Sequence, residues 1–136
     1  MVSDGRSGEV VDACWRPPDH GMPKINCDAR VDKRRRVGFG IVVRDEMGRV
    51  LRCWAQGCEA NYDMDSANAM AIYKGLMVGR YMGLVNYAVE SDSKVVIKQI
   101  VNGDNSDAVH GGILDSIQGI VSDAGNVVYN FCAFKG

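Results

Sequence analysis

The chain has 136 residues, 46% hydrophobic and 24% charged, with a formal net charge of −1. That length gives one domain with material for a real core, and the near-neutral balance excludes a globally basic nucleic-acid binder. No apolar run approaches the roughly 20 residues of a membrane-spanning helix. Residues 1–11 are polar and acidic, with no secretory leader, which points to an intracellular protein of cytoplasm or nucleus.

Residues 1–13 are mostly small and polar and read as a flexible linker, leaving 14–136 as the domain. Trp15-Arg16-Pro17-Pro18 reads as extended, because proline fixes φ and disfavours helix before it; Trp15 is expected to anchor against the side of the domain. From Lys24 to Ala29 the residues alternate, Ile25 and Cys27 on one face and Asn26 and Asp28 on the other, which predicts a strand. Arg30 to Arg36 then gathers Arg30, Lys33, Arg34, Arg35 and Arg36 against Asp32 alone. It reads either as a solvated hairpin tip or as a phosphate-facing patch.

Val37–Arg44 is apolar and β-branched, a second strand. Asp45–Gly48 is a turn and Arg49–Ala55 a third strand, so the pair forms a hairpin. Gly38-Phe39-Gly40 is a fragment of a dinucleotide fingerprint, but it sits inside a strand and opens no helix, and that reading fails. Ser66–Met82 is rich in Ala, Met and Leu and predicts a helix. Asp65 or Ser66 is the expected cap, Asn68, Ile72, Leu76 and Gly79 form the face on the sheet, and Gly83 ends it.

Val85–Ser91 predicts a fourth strand, Ser93–Ile100 a helix, and Asn102–Asn105 a turn cluster. Val109–Ser122 predicts another helix, with Ile113, Ile117, Ile120 and Val121 inward. Asn126–Phe134 is a fifth strand. The order β-β-β-α-β-α-α-β argues for a mixed sheet with helices on its faces.

If the strands at 24–29 and 85–91 are parallel neighbours, Asp28 and Asp92 meet. Paired carboxylates of this kind hold a hard divalent cation. Taken singly, each has a structural reading, Asp28 as a turn residue and Asp92 as a helix cap. The five cysteines form no CxxC pair: Cys27 and Cys132 read as core, and Cys53 and Cys58 lack a second ligand pair for zinc. A reducing compartment suits them. His20, in the proline-rich approach, and His110, opening the late helix, carry no catalytic pattern.

Trp15-x-Pro17-Pro18, Lys24-Ile25-Asn26-x-Asp28-Ala29, Gly38-x-Gly40-x-Val42-x-Arg44-Asp45-x-x-Gly48, Ala67-x-Ala69-x-Ala71 and Glu90-Ser91-Asp92-Ser93 occur in this order. Together they resemble the ribonuclease H-like domain of plant reverse-transcriptase-like proteins, over about Trp15 to Phe134. The resemblance implies an α/β, ribonuclease H-like fold: a five-stranded mixed sheet flanked by helices, here truncated after the fifth strand, with the C-terminal helix missing. Active relatives cut the RNA strand of RNA–DNA hybrids with two Mg²⁺ ions held by four carboxylates.

By that resemblance Asp28 matches the first carboxylate and Asp92 the third, as metal and catalytic residues. The second falls on Asn68, where Ala67-Asn68-Ala69 replaces the usual Ala-Glu-Ala, and the fourth lies beyond Gly136. Asp65, one turn before Asn68, is expected to cap its helix rather than substitute. Two carboxylates cannot offset two divalent ions, so weak or single-ion binding of Mg²⁺ (or Mn²⁺) and impaired cleavage are expected. The expected partner is an RNA–DNA hybrid or other nucleic acid, contacted by Arg30, Lys33, Arg34, Arg35 and Arg36; no membrane partner is expected, and the oligomeric state is open. The alternative is a non-catalytic nucleic-acid-binding or protein-interaction module. Without the final helix an exposed apolar patch is expected on one sheet face.

Overall fold

The computed structural model describes residues 10–12, 22–103, 111–123 and 125–132. Cys14, Trp15, Pro17, Pro18, His20, His110 and the chain beyond Cys132 lie outside the described residues. Nine elements follow in chain order: β1 (Val10–Asp12), β2 (Lys24–Val31), β3 (Arg36–Arg44), β4 (Val50–Glu59), α1 (Met64–Tyr81), β5 (Asn86–Ser91), α2 (Lys94–Asn102), α3 (Gly111–Asp123) and β6 (Asn126–Phe131).

The five expected strands form, in a mixed sheet of order β1-β6-β5-β2-β3-β4. Strands β2, β5 and β6 are mutually parallel neighbours, and the hairpin β2-β3-β4 is antiparallel. A sixth strand, β1, pairs parallel with β6. It lies inside the stretch expected to be linker, so part of that stretch belongs to the sheet.

Alternation on the strands sorts two faces. Ile25, Cys27 and Ala29 of β2 and Val37, Phe39, Ile41 and Val43 of β3 are buried in one core, which α1 supplies with Ala67, Ala69, Ala71, Ile72 and Leu76. The stripe Asn68, Ile72, Leu76 and Gly79 is wholly buried, as its spacing predicted. Close approach depends on glycine: a Cβ on Gly75 would run into Cys27 Sγ, and one on Gly79 would lie 2.9 Å from the Tyr87 ring. Val96, Ile97 and Ile100 of α2 and Leu114, Ile117 and Ile120 of α3 close the same core.

Three local expectations change. Strand β4 runs four residues past Ala55, because β3 offers it backbone partners up to Arg36↔Glu59. Helix α1 starts earlier and is capped by neither Asp65 nor Ser66; Asp63 Oδ1 accepts from Ser66 N at 2.7 Å. Leu114, rather than Ile113, is the fully buried residue opening α3. Exposed apolar side chains lie along the edge strand β4 (Val50, Leu51, Trp54) and on α1 (Met77, Tyr81).

Candidate functional site

Strands β2 and β5 carry the two aspartates to one end of the sheet. Their parallel register pairs Asn26 with Glu90 and Cys27 with Ser91, so the next step brings Asp28 level with Asp92, just past the end of β5. Both singly taken structural readings fail here. Asp28 lies inside β2, not in a turn. The cap of α2 is Ser93, whose Oγ accepts from Val96 N at 3.3 Å. Ser91 Oγ accepts from Ser93 N at 3.1 Å, so Asp92 sits in a fixed turn with its carboxylate uncommitted to the cap.

The two carboxylates feel each other. Partial burial, and then the charge of Asp28, push the Asp92 carboxyl above its ordinary value, against a smaller opposing pull from its own backbone amide and from Arg30. Arg30 Nε lies 3.8 Å from Asp28 Oδ2, with the arginine side chain 88% exposed. Such an exposed, long pair contributes little. The result is an anionic pair with a net demand for a cation.

A polar cluster that sequence reasoning did not single out lies behind this pair on the same sheet face. Lys24 Nζ is 2.9 Å from Glu90 Oε2, both side chains almost fully buried, and Asn26 Nδ2 donates to Glu90 Oε1 at 2.7 Å. Asn130 of β6 is paired in register with Glu90, and among the described residues its buried Oδ1 has no hydrogen-bond partner. The signal was present as the polar series Lys24, Asn26, Asp28 at every second position, but its partner Glu90 becomes visible only through register. On the opposite face, burial pushes the Cys27 thiol far above its ordinary value, with the charges of Asp28 and Glu90 adding to it. That thiol is a packing group, not a nucleophile.

Asn68 reaches the same end of the molecule from the helix layer. Gly79 of α1 faces Ile25 and Tyr87, and Gly75 faces Cys27, so α1 runs against β2. Asn68 stands about 10 Å further along than Gly75, beyond Cys27 and towards the aspartate end. It is buried, and among the described residues its Oδ1 has no hydrogen-bond partner. An orphaned buried carbonyl oxygen is costly, and its chemistry suits a hard cation. Among the described residues no group of three or more His, Cys, Asp or Glu side chains comes together. The register therefore sets Asp28 level with Asp92, and α1 carries Asn68 towards the same end of the sheet.

The basic segment spans the β2–β3 hairpin tip, with Arg30 still in β2 and Arg36 already in β3. Asp32 Oδ1 accepts from Arg34 N at 2.8 Å and Arg36 N at 2.9 Å, and Arg35 N bonds to Asp32 O. Arg35 takes a left-handed φ of 63°. Arg30, Lys33, Arg34, Arg35 and Arg36 are all exposed. Because β2 runs from the buried Lys24 through Asp28 to the tip, the turn begins about 13 Å beyond the aspartate pair. Cys53 and Cys58 are exposed and free on β4. Their odd spacing sends them to opposite faces.

A family model described as reverse transcriptase-like matches residues 26–133. No curated protein matches the chain in sequence. Among solved structures, the N-terminal RNase H domain of a Mycobacterium tuberculosis protein, determined as a fusion with maltose-binding protein, superposes with a TM-score of 0.74 at 20% identity, covering 83% of this chain and 88% of that one. RNase H1 from the halophilic archaeon Halobacterium salinarum gives 0.72 at 12% identity, covering 83% and 86%. LC11-RNase H1, isolated from compost by a metagenomic approach and solved in complex with an RNA/DNA hybrid, gives 0.72 at 19% identity, covering 82% and 86%. The fold of the chain is ribonuclease H-like.

Proposed function

The chain belongs to the reverse transcriptase-like family, and from that premise we propose that it binds RNA–DNA hybrids at the aspartate end of its sheet and cuts the RNA strand slowly or not at all. The observation that carries this reading is the parallel register of β2 and β5, which sets Asp28 level with Asp92 so that the charge of one is felt by the other. A solved ribonuclease H1 of the same fold holds an RNA/DNA hybrid, which supports hybrid as the substrate class.

The residues fit one hard divalent cation, Mg²⁺ or Mn²⁺. Asp28 and Asp92 offer two charged oxygen donors, and Asn68 offers a neutral one in need of a partner. When bound, such a cation neutralises charge at the scissile phosphate and acidifies the attacking water. The Asp92 carboxyl is raised by burial and then by the charge of Asp28. Asp28 is half-buried and flanked by Arg30, whose Nε lies 3.8 Å from its carboxylate. Two charges do not balance two divalent ions, so a second cation is held weakly. Arg30 and the tip cations Lys33, Arg34, Arg35 and Arg36 supply salt-dependent phosphate contacts.

The test is a fluorescent RNA–DNA hybrid incubated with the protein in Mg²⁺ and in Mn²⁺. Salt-dependent binding is expected, with slow cleavage or none, any cleavage disappearing in Asp28→Asn and rising in Asn68→Glu. Rapid turnover by the parent protein would overturn the impaired-site reading. Absence of binding at low ionic strength would overturn the hybrid-binding reading itself.

A further inference from the structure

Gly38 and Gly40 of β3 and Gly57 of β4 sit inside strands, where glycine weakens the sheet relative to residues with a side chain. Gly112 and Gly119 of helix α3 also have open space where a Cβ would stand, but other glycines of the described residues have a structural reason. Gly48, Gly83 and Gly103 adopt positive φ, and Gly75 and Gly79 allow α1 to touch β2 and β5. Neither reason applies to these three. None has a positive φ. A Cβ at Gly38 or Gly40 would meet no heavy atom within 4 Å, and one at Gly57 only the Val37 carbonyl oxygen at 3.8 Å.

All three face the same side of the sheet as Asp28. Register pairs Asp28 with Gly40 and Gly40 with Ala55; it pairs Arg30 with Gly38 and Gly38 with Gly57. Two rows therefore start at a charged side chain on β2 and cross β3 and β4 with nothing larger than a methyl group. At ordinary strand spacings the bare area is about 10 Å across the strands and about 7 Å along them. Two shallow depressions overlap on it. One, of about 470 Å³, is bordered by Asp28, Gly40 and Ala55; the other, of about 460 Å³, reaches Asp32, Arg36 and Glu59; they share Arg30, Gly38 and Gly57.

We infer that this glycine track is a binding surface on which one sugar–phosphate strand of an RNA–DNA hybrid lies directly against the peptide backbone, running from the Asp28–Asp92 pair towards the free edge of β4. The inference rests on the hybrid-binding reading above and adds a location and a mode of contact to it. With the hairpin tip included, the cations Arg30, Lys33, Arg34, Arg35 and Arg36 outnumber Asp28, Asp32 and Glu59 around the track, as an anionic strand requires. Arg30 flanks it, Arg36 borders its outer end with Glu59 4.0 Å away, and the exposed tip cations lie just beyond. Asp32 opposes them less than its charge suggests, since its Oδ1 is committed to the amides of Arg34 and Arg36.

The two rows offer no aromatic ring, so they are not a base-stacking platform. A flat surface without side chains suits the wide, shallow sugar edge of an A-like duplex. A Cβ branch planted there would lift the strand from the sheet while leaving the protein's own packing untouched.

Gly38→Val, Gly40→Val and the pair together test this, with hybrid binding read by fluorescence polarisation in Ca²⁺ at low ionic strength and folding read by thermal melting. Each valine is expected to weaken binding about tenfold by steric exclusion, the alanine forms less, with a melting temperature equal to or above the parent's because valine suits a strand. Gly57→Val, on the outer strand, is a second variant should β3 tolerate valine poorly, and it is expected to weaken binding in the same direction. Folded valine variants that bind within about twofold of the parent would overturn the track while leaving hybrid binding intact. A parent that binds no hybrid would overturn both.

Discussion

Asn26 donates a 2.7 Å hydrogen bond to Glu90, and the two residues are paired on β2 and β5 two positions before Asp28 and Asp92. Since every second residue shares a face, the relative placement of the two aspartates is inherited from this buried contact and from the Lys24–Glu90 ion pair next to it. The cluster costs desolvation, and what it gives in return is register.

Breaking that pair is therefore expensive. Lys24→Met leaves the Glu90 carboxylate buried without its cation and is expected to cost about 3–5 kcal/mol in denaturant unfolding. Adding Glu90→Gln removes the stranded charge, keeps an oxygen for Asn26, and recovers much of the loss. A loss in the single variant below about 1 kcal/mol, the scale of an exposed pair, would show that the cluster does not hold the sheet.

The raised carboxyl of Asp92 gives a pH signature of definite sign. A carboxyl whose folded pKa is raised binds more protons when folded, so its contribution favours folding below its ordinary value of 3.8 and is lost as pH rises through the folded value. At neutral pH, without a divalent cation, ionised Asp92 works against the fold. Asp92→Asn is expected to raise the melting temperature there, with the gain shrinking as pH falls towards the carboxylate range. Mg²⁺ should stabilise the parent and lose that effect in the variant. A variant no more stable than the parent at neutral pH would contradict the strain between Asp28 and Asp92.

How far the sequence revealed all this depended on locality. Ile25/Asn26/Cys27/Asp28 alternate plainly, and Asn68/Ile72/Leu76/Gly79 keep helical spacing, so strands, helix and faces were legible. Strand β1 was not, because three residues carry no usable period and their pairing depends on the edge of β6. The end of β4 was not, because Gln56-Gly57-Cys58 has no strand pattern and follows the backbone of β3. Asp28 and Asp92 were legible as carried by two strands, though β2 runs on to Val31 past Asp28. Lys24 with Glu90, and the emptiness over Gly38 and Gly40, exist only once register is set.

Asn68 offers the sharpest trade between stability and cation affinity. Asn68→Asp places a charge in a buried position and is expected to lower the melting temperature without a divalent cation. With Mg²⁺ present the same variant should gain more stabilisation than the parent, because a third carboxylate joins Asp28 and Asp92. Equal Mg²⁺-induced shifts in parent and variant would show that Asn68 lies outside the cation site.

Packing between α1 and β2 leaves no room for even one methyl group. Gly75→Ala drives a Cβ into Cys27 Sγ and against Ile25, and the fully buried neighbours have nowhere to yield. Overpacking of this kind typically costs about 1–3 kcal/mol. The double variant Gly75→Ala, Cys27→Ala should recover part of it, since the thiol is the nearest obstruction; failure to recover would place the strain elsewhere on the helix.

At the hairpin tip, stability and binding should move in opposite directions. Arg35 holds a φ of 63°, a region that costs a side-chain-bearing residue about 1–2 kcal/mol, and its N–H closes the turn on Asp32 O at 3.1 Å. Arg35→Gly keeps that bond and removes the strain, so unfolding measurements are expected to show a gain of about 1 kcal/mol. The same change deletes one exposed cation. If the tip contacts phosphate, hybrid affinity should fall at low salt and the dependence of log K on log salt should flatten by about one unit. A more stable variant with an unchanged salt slope would leave Arg35 as a solvated turn residue and confine the phosphate contacts to its neighbours.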